Sequence, residues 1–304
     1  MNFPRIALCI AGLGFIAAGA AAQAQALDGT LKKIKDSGTI TLGVRDSSSP
    51  FSFLDDQQNA VGYSIDLCMK IVDEVKTELK LPNLNVVKQP VTSATRIPLM
   101  ANGTIDLECG STTNNVERQN QVSFVVTTFV TANRFVSKKS ANLSKLEDLK
   151  GKTLVSTSGT SNLKEVTEIN GAKNLGINVV PAAEHPAAFA MVETDRAAAF
   201  AMDDILLYGL VANSKAPANY VISPEAISIQ PYGIMLRKGD PAFKKLADNA
   251  VIATFKSGEI NKIYSKWFLS PIPPKSINLN VPMSEQLKKI IAKPTDSGEE
   301  SAYK

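Results

Sequence analysis

A chain of 304 residues with 44% hydrophobic and 20% charged side chains is long and apolar enough to fill one or two buried cores, which excludes a disordered chain. Its 33 Lys+Arg against 29 Asp+Glu leave a net charge of +4 with no run of five basic residues, so charge gives little support to a nucleic-acid-binding surface. One histidine and three cysteines supply no ligand set for a structural zinc and make His-centred catalysis a poor starting point.

Residues 1–26 read as a secretory signal peptide. Arg5 is the charged start, Ile6 to Ala22 is apolar, and Ala24-Gln25-Ala26 has the small-x-small form that signal peptidases cut, with Ala22-Gln23-Ala24 as a second site. The competing reading, an uncleaved anchor, has a run of only ~17 weakly apolar residues. Cleavage leaves Cys68 and Cys109 as the mature cysteines. In an exported chain they form one disulfide or stay as buried thiols; spacing alone leaves both open.

Next along the chain, Ile40 to Val44 reads as a strand. A helix follows Gly62, with Ile65, Cys68, Val72, Val75 and Leu79 spaced 3-4-3-4. Asn85 to Lys88 is a second strand, Ser93 a helix N-cap, Gly103 a helix stop and Thr104 to Cys109 a third strand. A short helix holds Val116 to Gln121. The middle of the chain repeats this grammar: strands at Lys152 to Ser156, Ile177 to Val180 and Ala198 to Met202, each leading into a helix. Tyr220 to Ile222 and Tyr232 to Leu236 are further strands, two helical stretches run to about Trp267, and residues 294–304 form a polar, flexible tail. The alternation defines an α/β fold.

Unusual polar residues collect where strands end. Arg45 follows the first strand, and Ser93 and Arg96 share a face at i, i+3. Ser111 and Thr113 follow the third strand, with Arg118 one turn on. Ser161 lies in a Gly-containing turn at a helix start, and His185 and Asp203 sit at strand-to-helix junctions. Open α/β sheets bind ligands at the carboxyl ends of their strands. Three arginines point to an anionic ligand, and Asp203 can pair with a cation. Taken singly, a loop arginine is a solvated charge and Ser93 or Asp203 a plain cap, but those readings do not explain why all of them lie at strand ends.

At these residues the chain resembles the periplasmic binding proteins of ATP-driven amino-acid importers, solute-binding protein family 3. Gly43-Val44-Arg45-Asp46-Ser47, Gly62-Tyr63-Ser64-Ile65-Asp66-Leu67, Pro231-Tyr232-Gly233-Ile234 and Lys266-Trp267-Phe268 carry the resemblance over the whole mature chain. The runs from Glu108 to Arg118, from Thr92 to Pro98 and from Pro271 to Lys275 resemble the glutamate/aspartate-binding subgroup. The resemblance implies a two-lobed, type II periplasmic binding protein with a ligand cleft and two hinge crossovers. Lobe 1 would be residues 28–131 plus 230–292, and lobe 2 residues 132–229.

It implies further that Arg118, Thr113 and Ser161 hold an α-carboxylate. Asp203 takes the α-ammonium with Ser111 and Thr113 beside it, and Arg45, Ser93, Arg96 and His185 hold the side-chain carboxylate. Two positions depart from the pattern: Ser161, where threonine is common, and Ile234, where some relatives have a cysteine, which leaves the pairing of Cys109 open. The implied protein is a periplasmic monomer with no cofactor, metal, catalytic residue or nucleic-acid partner. It would bind L-glutamate or L-aspartate and deliver it to an inner-membrane ABC permease with a cytoplasmic ATPase. The alternatives on the same fold are a periplasmic dehydratase, with His185 as its acid or base, and a sensory ligand-binding module. One methylene is worth ~1–3 kcal/mol in a pocket, so the two acids are not ranked.

Overall fold

The computed structural model describes Met1 and residues 27–304; the expected signal segment falls otherwise outside the described residues. Two sheets organise the chain. The first runs in the order Asn85–Pro90, Thr39–Val44, Leu107–Glu108, Met235–Arg237, Val122–Phe124. Its first three strands are parallel, and Met235–Arg237 returns antiparallel to its neighbours. The second runs Asn178–Ala182, Thr153–Thr157, Ala199–Asp203, Phe129–Lys138, Tyr220–Ile222. Again the first three strands are parallel, and the long Phe129–Lys138 runs against Ala199–Asp203 and Tyr220–Ile222. Each sheet with its helices forms one lobe. Three short strands, Ser47–Ser48, Ser52–Leu54 and Ala60–Val61, make a small separate sheet.

Two segments carry the chain between the sheets. Phe129–Lys138 leaves the first lobe, and Ser228–Tyr232 returns beside it, antiparallel, with Ser228 opposite Asn133 and Tyr232 opposite Phe129. The strand expected over 232–236 is therefore two strands. Tyr232 ends one on the second sheet, and Met235 starts another on the first. At the switch Gly233 N–H donates to Thr112 O at 3.1 Å and Ile234 O accepts from Val125 N at 3.0 Å. Backbone groups that lose one ladder thus find partners at once. An aromatic cluster underlies the crossing: Phe51 lies 5.1 Å from Tyr232 and 4.9 Å from Phe129, which stacks 5.1 Å from Phe268. Edge and offset pairs of this kind stabilise by ~0.5–1.5 kcal/mol each beyond their burial.

The 3-4-3-4 pattern after Gly62 forms the helix Tyr63–Leu79, which buries Ile65, Cys68, Val72, Val75 and Leu79 and packs on the helix Pro241–Lys256. The Cys68 side chain meets the strand end at Cys109 and the two form a disulfide, with Cα atoms 6.1 Å apart. This decides between the two states that the sequence left open.

Residues 294–304, expected to be a flexible tail, are instead packed down. Thr127 N–H donates to Thr295 O at 2.7 Å, and Asn114 Nδ2 and Gln119 Nε2 both donate to Asp296 O at 2.9 Å. The short 3-10 helix Glu300–Tyr303 buries the Tyr303 ring, whose hydroxyl meets Thr127 Oγ1 at 2.7 Å and Ser297 O at 2.6 Å. The tail's polar composition is misleading because it contributes backbone carbonyls to loop amides and one aromatic plug. Gly298 lies so close to the loop that a Cβ there would stand 2.7 Å from Val116 N. The tail thereby supports the segment that carries Thr113 and Arg118.

Candidate functional site

All nine sequence-identified residues are buried, none more than 7% exposed. They come from the carboxyl ends of strands in both sheets. Arg45 follows Thr39–Val44, and Ser93 and Arg96 follow Asn85–Pro90. Ser111, Thr113 and Arg118 follow Leu107–Glu108. From the other lobe, Ser161 follows Thr153–Thr157, His185 follows Asn178–Ala182 and Asp203 ends Ala199–Asp203. One expectation is corrected. Ser93 is not a helix cap: the helix Arg96–Ala101 begins later, with Thr95 at the cap position, and Ser93 Oγ is buried with no partner among the described residues.

At one end of the cleft stand Arg45, Ser93, Arg96 and His185. Arg45 Nη2 donates to Glu184 Oε2 at 2.7 Å. Arg96 Nη1 donates to Thr112 Oγ1 at 2.5 Å, and that hydroxyl donates to Glu108 Oε2 at 2.6 Å. His185 Nδ1 lies 2.8 Å from Thr157 Oγ1. Arg45 Nη1, Arg96 Nε, Ser93 Oγ and His185 Nε2 are buried and have no hydrogen-bond partner among the described residues. Buried polar atoms are nearly always paired, so these four point to a ligand acceptor, although Glu108 Oε1 and Glu184 Oε1 beside the same arginines are also buried and unpaired. Burial pushes the Arg96 guanidinium down, partly offset by Glu108, with Arg118 and Arg45 pushing the same way as burial. Burial, then Arg45 and Arg96, holds His185 well below its ordinary range, so the ring is neutral at pH 7. In the tautomer in which Nδ1 accepts from the Thr157 hydroxyl, Nε2 carries the proton and can donate to an anion.

At the other end Arg118 is held by both lobes: Nη1 donates to Thr113 O at 2.9 Å and Nη2 to Gly159 O at 3.3 Å. Its backbone N–H is capped by Asn115 Oδ1 at 2.9 Å. Ser161 Oγ donates to Gln230 Oε1 at 2.9 Å and lies 3.2 Å from the Thr113 hydroxyl. Asp203 accepts from Asn162 Nδ2 at 2.7 Å and from the Tyr232 hydroxyl. Burial raises Asp203 to about 6, against the lowering effect of those two bonds. A carboxylate so desolvated favours a cationic partner.

The lobes are in contact across the cleft. Gly159, at φ +75°, abuts lobe 1 so closely that a Cβ would lie 2.6 Å from the Ala94 Cα. Arg45–Glu184, Arg118–Gly159, Ser161–Thr113 and an ion pair between Lys164 and Glu117 all cross the gap. The structure is therefore a closed arrangement.

Sequence reasoning missed the acids behind the arginines, Glu184 and Glu108. It also missed the residues that fix Asp203 and Ser161, namely Asn162, Tyr232 and Gln230. The local signals were the adjacency of Glu184 to His185 and the places of Glu108 and Tyr232 within the family-like runs. The described residues contain no group of three or more His, Cys, Asp and Glu that could hold a metal ion.

Residues 40–270 match the model of the bacterial extracellular solute-binding proteins, family 3. The chain belongs to this family. Among its relatives, the L-glutamate/L-aspartate-binding protein of Pseudomonas aeruginosa is 52% identical over 97% of this chain and 99% of its own. The glutamate/aspartate import solute-binding protein of Escherichia coli K12 is 45% identical over 90% of each. Among solved structures, a mutant of the arginine-binding protein ArgBP from T. maritima matches with TM-score 0.70 at 27% identity, over 78% of this chain and 98% of that one. An ancestral arginine-binding protein bound to arginine matches at 0.68 and 30%, over 76% and 98%. This solute-binding protein thus has the two-lobed amino-acid-binding fold, and the relatives it matches at full length are named as binding proteins, not enzymes.

Proposed function

We propose that this solute-binding protein captures L-glutamate or L-aspartate between its lobes and hands it to a membrane permease driven by a cytoplasmic ATPase. The observation that carries the reading is the pair of buried, unpartnered guanidinium nitrogens on Arg45 and Arg96, with Ser93 Oγ and His185 Nε2 also unpartnered and the buried carboxylate of Asp203 elsewhere in the site. An amino acid with a second carboxylate satisfies both ends; a neutral side chain would leave buried donors unpaired, which costs about 1–3 kcal/mol per group. In this reading Arg118, Thr113 and Ser161 hold the α-carboxylate, Asp203 the ammonium with Ser111 and Thr113, and Arg45, Ser93, Arg96 and His185 the distal carboxylate. Lobe 1 comprises residues 28–131 and 230–292 and lobe 2 residues 132–229, so a bound ligand favours closure by touching both. The protein works as a monomer in the periplasm; among the described residues no helix is long and apolar enough to cross a membrane.

A thermal-shift screen of the twenty amino acids tests this. A large upward shift is expected with glutamate, aspartate or both, and with no neutral or basic amino acid. A shift led by glutamine or arginine overturns it.

The pH dependence follows from Asp203. Burial raises its carboxyl to about 6, and an ammonium partner would favour the ionised form. Affinity is therefore full above pH 6 and falls as pH drops through it. From pH 7 to pH 5 calorimetry should show glutamate binding weaken about tenfold, one factor of ten for the unit below 6. In Asp203→Asn the slope should disappear and affinity should be low throughout.

A further inference from the structure

Glu184 is the residue that the closed cleft uses most unexpectedly. It stands at the N-cap position of the helix His185–Glu193, yet its side chain makes no cap bond. It reaches across to lobe 1 instead, where Oε2 accepts from Arg45 Nη2 at 2.7 Å and from Ser47 Oγ at 3.4 Å. Arg45 is 1% exposed and Glu184 30%. The other ion pair across the cleft at a site-bearing segment, Lys164 with Glu117, has side chains 49% and 59% exposed. Water screens that pair and leaves it little influence on closure. The Arg45 pair is largely shielded from water and involves a guanidinium with a second, unpartnered nitrogen, Nη1, in the cleft.

One arm of the Arg45 fork is thus taken by Glu184 and the other has no partner among the described residues. We infer that Glu184 is a positioning residue that latches the closed form by taking Arg45 Nη2, while Nη1 stays free for the ligand's distal carboxylate. The inference rests on the acidic-amino-acid reading above for its ligand, but not for the latch itself. Arg45 and Glu184 belong to different lobes, so their contact exists only when the lobes meet. In an open protein Arg45 presents its whole guanidinium, and its full charge, to an arriving anion. Closure then brings Glu184 onto it. The latch holds the arginine's orientation and lowers the excess positive charge of a site that also contains Arg96. Capture is governed by the open form and release by the closed one, so the signature of a latch is a change in dissociation rate without a change in association rate.

The test uses the full mature chain carrying Glu184→Gln, which preserves shape but not charge, and Glu184→Asp, which preserves charge at shorter reach. Stopped-flow mixing with glutamate should show dissociation at least about tenfold faster in Glu184→Gln, with association within twofold of wild type. Glu184→Asp should recover part of the loss. In an Arg45→Met background the Glu184→Gln effect should vanish, since the latch then has nothing to hold. Unchanged dissociation, or an equal effect with and without Arg45, overturns the inference. Should the wild-type protein bind no glutamate at all, the functional reading fails instead. The latch is then tested on the protein saturated with whichever amino acid raises its melting temperature most, where small-angle scattering should show a larger radius of gyration for Glu184→Ala than for wild type and an unchanged value refutes it.

Discussion

Replacing Arg118 with methionine should abolish useful ligand binding, with glutamate affinity falling by a factor between about one hundred and several thousand, or ~3–5 kcal/mol. The size follows from how the guanidinium is held. Thr113 O and Gly159 O fix Nη1 and Nη2 from opposite lobes, so the group is preorganised where lobe 1 and lobe 2 meet. Burial pushes this arginine down, with Asp203 and Glu108 opposing, so it is a charge kept in place despite its desolvation. An α-carboxylate there would gain charge-assisted bonds with little reorganisation, and methionine would leave that carboxylate buried without a cation. Arg118→Lys keeps the charge but loses the fork, and should still weaken binding more than tenfold. Calorimetry gives the affinities. Melting of the ligand-free proteins separates binding from folding: Arg118→Met also deprives Asp203 and Glu108 of a nearby cation and should lower stability, whereas Arg118→Lys keeps that charge and should lower it less. An Arg118→Met affinity within threefold of wild type would remove this residue from the site.

The sequence made local features legible and left long-range ones hidden. The helix Tyr63–Leu79 could be read because its 3-4-3-4 spacing is a property of one segment. So could the arginines, whose positions at strand ends needed only local periodicity. Ser93 was read as a cap because a serine before a helix normally is one. Its role depends instead on the approach of the other lobe, whose Gly159 abuts the Ser93–Ala94 backbone. The break at Gly233 was invisible for a similar reason. Tyr232 and Met235 are both apolar strand residues, and only their partners, Phe129 and Phe124, say that they lie on different sheets. Glu184 stood in no motif and Glu108 opened one without an assigned role, because both act on arginines, Arg45 and Arg96, that are remote in the chain or reached through Thr112. Two acids behind two arginines also revise the charge argument. The site is not simply cationic: it holds its arginines in partial ion pairs and leaves selected N–H groups free. In the proposed reading, ligand choice in this chain depends on which donors remain unpaired after closure, more than on how many positive charges the cleft contains.

The Cys68–Cys109 bridge should account for a stability difference of the same order as the loss of a ligand arginine. It spans 41 residues, and closing a loop of that length in the unfolded chain corresponds to ~4 kcal/mol in the chain-entropy model. Cys68→Ala/Cys109→Ala, chosen to avoid burying two new hydroxyls, should therefore lose ~3–4 kcal/mol in urea unfolding and melt on the order of 10 °C lower. Both cysteines are fully buried, so some of the loss will be packing, which a reduced wild-type sample separates from the cross-link. The effect on binding should be much smaller. Cys109 leads into Gly110 and Ser111, but Ser64 Oγ also holds that turn, donating to Gly110 O at 2.7 Å. Glutamate affinity should stay within tenfold of wild type in the alanine pair. An exporting compartment fits the bridge, since buried disulfides persist where glutathione does not reduce them. Intact mass before and after reduction checks the bond: a gain of two hydrogens, about 2 Da, is expected on reduction, and two free thiols in the native protein would refute it.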